Sequence, residues 1–111
     1  MKKDIKFRAW DKENNAWCNH YTNSDCMKFL HNENLIVEQF TGLNDKSNNN
    51  IFEGDIIKAS DNKLMIVGWS IKFASFTLDR KGWAFVHWFG ESCNSDECVI
   101  VGNIHENNDL L

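Results

Sequence analysis

Two groups of residues carry chemistry by type and spacing. Cys18-x-His20, Cys26 and Cys93-x4-Cys98 supply the thiols and the imidazole from which a tetrahedral zinc site is built. Structural zinc sites usually pair their cysteines two to four residues apart. Only Cys93 and Cys98 come near that spacing, and Cys98 opens the apolar run Val99-Ile100-Val101, where a buried thiol is routine. The four cysteines therefore read as ordinary reduced thiols. Glu53-Gly54-Asp55 sets two carboxylates beside a glycine and could imitate an acid/base or metal-binding pair. No partner base and no phosphate-cradling glycine loop accompanies it, so the trio reads as a turn at the start of a strand. His87 sits inside an aromatic run and reads as a packed or interfacial histidine. G-x-S-x-G and H-E-x-x-H are both missing. No catalytic residue, metal or cofactor is assigned, and the chain is expected to be non-enzymatic.

Binding is the better-supported chemistry. The 111 residues contain five tryptophans, 13% aromatics and no proline. Five indoles exceed what one small core needs, so one or two are expected on a binding face. Trp69, Lys72, Arg80, Lys81, Trp83 and Trp88 fall along consecutive hairpins and form the candidate contact set. Aromatic residues of this kind anchor protein interfaces, and the leading expectation is a protein-interaction module that forms a homo-oligomer or engages a host or phage protein. The same residues could stack the bases of a single strand over a basic groove. That alternative ranks second, because the formal net charge is −4 and nucleic-acid binders normally carry a basic excess.

These residues must be positioned by strands. Residues 5–9 alternate apolar with charged, as a half-buried strand does, and the basic side chains from Lys2 to Arg8 read as its solvated face. A turn over 11–15 and a return strand over 16–21 follow. Residues 24–30 suit a short helix with Ser24 as N-cap. Residues 35–40 are rich in β-formers and are expected to end at Gly42.

Between Phe40 and Ile51 runs a polar connection in which Asp45, Asn48 and Asn49 are turn formers. Gly54 and Asp55 then lead into a strand over 55–59. A turn over 60–63 and a partner strand over 64–69 come next. In residues 71–78 the alternation slips near Ala74-Ser75, which predicts a β-bulge. A turn over 79–82, a doubly covered strand over 83–89 and a strand over 98–104 complete the set. Short strands at this spacing predict a mainly β fold: a small, curved, barrel-like (SH3-like) sheet with an N-terminal β segment and a short helix. One domain spanning 1–111 is expected, with a β part over 1–51, a barrel part over 52–104 and a tail over 105–111. The basic start lacks an apolar stretch behind it, and no run is long enough to span a bilayer. The expectation is a cytoplasmic protein with no membrane partner.

Three blocks, "IKFRAWDKENN", "QFTGLNDKSNNNIFEGDII" and "VGNIHENNDLL", resemble in their content and order the YopX family of phage and prophage proteins. Two departures stand out. Ser47-Asn48 occupies the place of the family's frequent Asn-Gly turn, and His105 stands where tyrosine is common. The resemblance implies a small intracellular phage protein with a barrel-like core and self-association. It brings no catalytic residues, since the shared blocks are turns and strand starts.

Overall fold

The computed structural model describes residues 5–18, 32–79 and 94–111. Among these the fold is mainly β, with two four-stranded antiparallel sheets, one of them curled into a half-barrel. The strands are β1 (Phe7–Asp11), β2 (Ala16–Trp17), β3 (Leu35–Asn44), β4 (Asn50–Phe52), β5 (Asp55–Lys58), β6 (Leu64–Ser70), β7 (Ser75–Asp79) and β8 (Val99–Asn103). They are ordered β2-β1-β3-β4 in one sheet and β7-β6-β5-β8 in the other. Two 3-10 turns, Ser95–Glu97 and Asn108–Leu110, are the only helical pieces among the described residues. The short helix expected over 24–30 and the strand expected over 83–89 lie outside them. The chain divides into two compact units, Met1–Phe40 and Thr41–Leu111.

In the first unit β1 pairs with β3 through Arg8↔Glu38 and Trp10↔Ile36, and with β2 through Trp10↔Trp17. Trp10 is buried and meets Trp17 edge to face at 5.0 Å. Arg8 departs from the solvated face expected of it. Its guanidinium stacks on Trp17 at 4.4 Å, and its Nε donates to Glu38 Oε1 at 2.9 Å. Direct cross-strand pairing puts opposite charges side by side, and Glu38 is itself buried. Asp11 closes the β1–β2 turn by accepting from the Glu13 and Asn14 backbone and from the Asn14 side chain. Asn15 supplies the left-handed residue at φ 51°.

The second unit is built round Ile51, Ile57, Ala59, Met65, Val67, Leu78 and Cys98, with Ile100 packed against them. Met65 and Val67 alternate along β6, and Leu78 stands opposite Val67 on β7. This is the period-2 pattern of a sheet with one covered face. In β5, by contrast, Asp55, Ile56 and Ile57 are all buried. Against β8 the register slips, so that Ile56 pairs with Gly102 and Ile57 with Ile100. The regular pairing of the two strands is broken at that point.

The bulge expected at Ala74-Ser75 is instead a hairpin turn between β6 and β7. The break in alternation marks a change of strand, because Ile71 and Phe73 belong to the turn while Phe76 and Leu78 belong to β7. Gly42 likewise does not end its strand. It takes φ +87° inside β3, which runs on to Asn44.

Gly54 has a sharper role. It also takes φ +87°, its N–H donates to the Val67 carbonyl at 2.7 Å, and its carbonyl accepts from Ile104 N–H at 2.9 Å. It thus links β6 to the segment that leaves β8. A side chain is strained in that conformation, so Gly54→Ala is expected to cost about 1.5 kcal/mol, measured as a shift in the urea midpoint at unchanged slope.

Candidate functional site

Of the exposed large apolar side chains among the described residues, Trp69, Ile71 and Phe73 fall together on the β6–β7 hairpin, while Ile5, Leu43, Val101, Ile104 and Leu110 lie elsewhere. Trp69 and Phe76 face each other across the two strands, rings edge to face at 4.9 Å. They share the sheet face of Met65, Val67 and Leu78 but lie beyond the core, and Trp69 is 45% exposed. At the turn Ile71 is 91% and Phe73 55% exposed. The Lys72 ammonium lies 5.4 Å from the centre of the Phe73 ring. The turn is held by Ser70, whose Oγ accepts from Phe73 N–H at 3.2 Å.

Ala74 closes the turn at φ 50°. Among the described residues the other non-glycine positions with positive φ are Asn15, Asn48 and Asn62, the residue type that tolerates this region best. Alanine gains nothing there, so the backbone of the tip holds a conformation its own sequence does not favour. Such outliers concentrate at binding sites.

On the opposite face of the hairpin Gly68 stands across from Thr77. Around this pair lies an open groove of about 380 Å³ lined by Ile66, Gly68, Trp69, Ser70, Thr77, Leu78 and Asp79. A Cβ on Gly68 would come to 3.1 Å from Thr77 Oγ1.

Of the six residues expected to make contacts, Trp69 and Lys72 lie on this hairpin. Arg80, Lys81, Trp83 and Trp88 lie outside the described residues, as does His87. Ile71 and Phe73 were not in the contact set, because their alternation suited a strand interior. Ser70, a side-chain acceptor three residues before a change of phase, was the signal for a turn.

Asp45 and Asp55 lie elsewhere in the same unit. Asp55 is buried and its Oδ2 accepts from Phe52 N–H at 2.8 Å, closing the turn that Gly54 completes. Asp45 is 5% exposed. Its Oδ1 accepts from the N–H groups of Ser47 and Asn49 at 3.0 and 2.8 Å, and its Oδ2 from Ile100 N–H at 2.9 Å. Burial acts to raise its pKa. The hydrogen bonds from the Ile100, Asn49 and Ser47 backbone, with one from the Asn49 side chain, outweigh burial and hold the carboxyl below its ordinary value.

Neither of the two described thiols, Cys18 and Cys98, shows activation. Cys98 is fully buried and its Sγ donates to the Ser95 carbonyl at 3.2 Å. Burial, with the nearby Asp11 charge, pushes the Cys18 thiol up, away from the reactive thiolate. Among the described residues no group of three or more His, Cys, Asp or Glu side chains could hold a metal ion. His20, Cys26 and Cys93 lie outside those residues. Among the same residues no helix is long and apolar enough to cross a membrane.

A protein-family model described as YopX protein matches residues 18–111. The chain belongs to the YopX family. The match takes in two of the three blocks that carry the resemblance, while the block at 5–15 precedes it. The fold of this YopX protein is similar to the crystal structure of protein EF1440 from Enterococcus faecalis, with a TM-score of 0.69, 20% identity and 99% of each chain covered. At that identity the likeness is one of fold. No curated protein matches the chain.

Proposed function

We propose that this YopX protein is a non-enzymatic phage or prophage accessory protein that works in the host cytoplasm as a protein-interaction module and associates with itself. The observation that carries the reading is the β6–β7 tip, where Trp69, Ile71 and Phe73 leave apolar surface in water on one short hairpin. Scattered exposed hydrophobics need no explanation, but a contiguous set does, and aromatic residues dominate interface hot spots. Ala74, held at positive φ in the same turn, adds to the case.

The double variant Ile71→Asp, Phe73→Asp tests this. Light scattering of the wild type should give a multiple of 12.9 kDa, and the variant should give the monomer mass. Its melting temperature should stay within a few degrees of wild type, since exposed sites contribute little to stability. A wild type that remains monomeric at every concentration overturns self-association. An oligomer that survives both charges removes the tip from it.

Single-stranded nucleic-acid binding remains the second reading, and the Lys72–Phe73 pair favours it, because a cation beside an exposed ring also suits a stacked base. Affinity purification from host cells with and without nuclease separates the two. Protein that stays bound after nuclease supports the interaction module. Co-purification that nuclease abolishes supports the alternative.

A further inference from the structure

We propose that the β6–β7 tip of one copy seats on the acidic C-terminal shoulder of a second copy, around Ile104 and Leu110, and that the reverse contact forms at the same time. This rests on the self-association reading and names the surface that the tip meets.

The tip is basic as well as apolar. From Leu64 to Leu78 the only charged residue is Lys72, which stands in the turn between the exposed Ile71 and Phe73. The shoulder is its counterpart. Ile104 and Leu110 are exposed and stand on two successive turns, in which Asn107 N–H donates to the Asn103 carbonyl and Leu110 N–H to the Asn107 carbonyl. Glu106 and Asp109 lie beside them in the chain, and no lysine or arginine follows Lys81. Ile104 N–H is bonded to the Gly54 carbonyl, which brings Glu53 to the same end of β5. Lys46, Lys58 and Lys63 stand at the other end. There Lys58 pairs with Leu64 and Val99, Lys63 is bonded to Ala59, and Lys46 is bonded to Cys98.

Position and charge together select the occupant. Gly54 N–H is bonded to the Val67 carbonyl, so the shoulder joins β6 at Val67. From there β6 runs on to Ser70, roughly 10 Å at the rise of a strand, before the chain turns. Each copy thus carries a positive apolar knob that projects past its own negative apolar shoulder. Tip against tip would set Lys72 against Lys72, and shoulder against shoulder would set carboxylates together. Only tip on shoulder joins opposite signs, and rim charges of this kind fix orientation. A two-fold axis makes both contacts at once, which is the isologous arrangement.

Charge reversal and mixing provide the test, read as the dissociation constant from sedimentation. Lys72→Glu, and separately the double variant Glu106→Lys, Asp109→Lys, should each weaken the wild-type association roughly 10-fold or more. An equimolar mixture of the two should recover it to within about 3-fold, because both contacts of the mixed dimer then join opposite signs. Glu106 also accepts from the Asn103 side chain, so Asp109→Lys alone replaces the double variant if the latter does not fold. A wild-type dimer indifferent to both reversals overturns the tip-on-shoulder contact while leaving self-association standing. So does a dimer weakened at Lys72 but untouched by the shoulder reversals, and so do variants that weaken but do not recover on mixing. A monomeric wild type removes the proposal together with the reading beneath it.

Discussion

Replacing Asp45 with alanine lowers the stability of the fold by about 3 kcal/mol and its thermal midpoint by roughly 15 °C. The carboxylate accepts three backbone N–H groups, from Ser47, Asn49 and Ile100. The first two belong to its own turn, in which Asn48 at φ 66° donates to the Asp45 carbonyl. The third belongs to β8, 55 residues away in the chain. Beside it Lys46 N–H donates to the Cys98 carbonyl at 2.8 Å. Together these two bonds lay the 45–49 turn along the start of β8, much as another strand would. Alanine leaves three donors without the acceptor that satisfies them, and each costs about 1 kcal/mol or more where water cannot reach.

The pH dependence of the same residue separates charge from shape. The folded carboxyl titrates below its ordinary value, so the folded chain holds that proton less tightly than the unfolded chain. The stabilisation is fully present above the unfolded carboxyl value of about 4 and is lost as pH falls through the lower, folded one. Asp45→Asn keeps an oxygen for Ser47 and Asn49 but can turn an NH₂ group toward Ile100 N–H. Its acid unfolding limb should be flatter than that of wild type, measured by circular dichroism between pH 2 and pH 6 (roughly the window set by the carboxyl pKa). Identical limbs would mean that the carboxylate charge is not what binds β8.

Asp45 also shows where the sequence stops being informative. An Asx residue before Ser47-Asn48-Asn49 advertises a turn by residue type alone, because few side chains accept hydrogen bonds from the backbone two residues on. Gly54, Asn48 and Asn62 are legible for a related reason, since only glycine and a few polar residues take positive φ at low cost. Nothing at Asp45 encodes Ile100, a link that exists only after β5 and β8 have paired.

The candidate site was partly legible for the opposite reason. Trp69 and Lys72 stand out by type, whereas the turn that presents Ile71 and Phe73 has none of the usual punctuation. Ala74 takes a left-handed conformation that alanine does not signal. Strand alternation then survives on either side of the turn and resembles a bulge. Arg8 reads as a plain surface charge through the same blindness to partners, because Glu38, which it bonds, stands in another strand.

Gly102→Ala is expected to lower stability by about 2 kcal/mol and to release the C-terminal turn before the rest of the unit. Gly102 has no need of positive φ; its constraint is space. A Cβ there would lie 2.6 Å from both Cγ and Oδ1 of Asn107 and 2.7 Å from its Cβ. Because the crowding reaches the Asn107 Cβ, rotating the side chain cannot relieve it and the turn itself must move. Asn107 Oδ1 accepts from Asn103 N–H at 3.2 Å, and Asn107 N–H donates to the Asn103 carbonyl at 2.9 Å. Asn103 Oδ1 in turn accepts from the N–H groups of His105 and Glu106. One methyl group therefore disrupts a reciprocal pair of asparagines and the turn they close.

Ile104 N–H, bonded to the Gly54 carbonyl, is the link through which this strain reaches β5. Hydrogen exchange should show protection lost first at residues 104–107, with β6 and β7 unchanged. Equal loss across β6 would instead mean that the C-terminal turn and the sheet unfold as one unit. In that case Gly54, bonded on one side to Val67 and on the other to Ile104, is the residue that joins them.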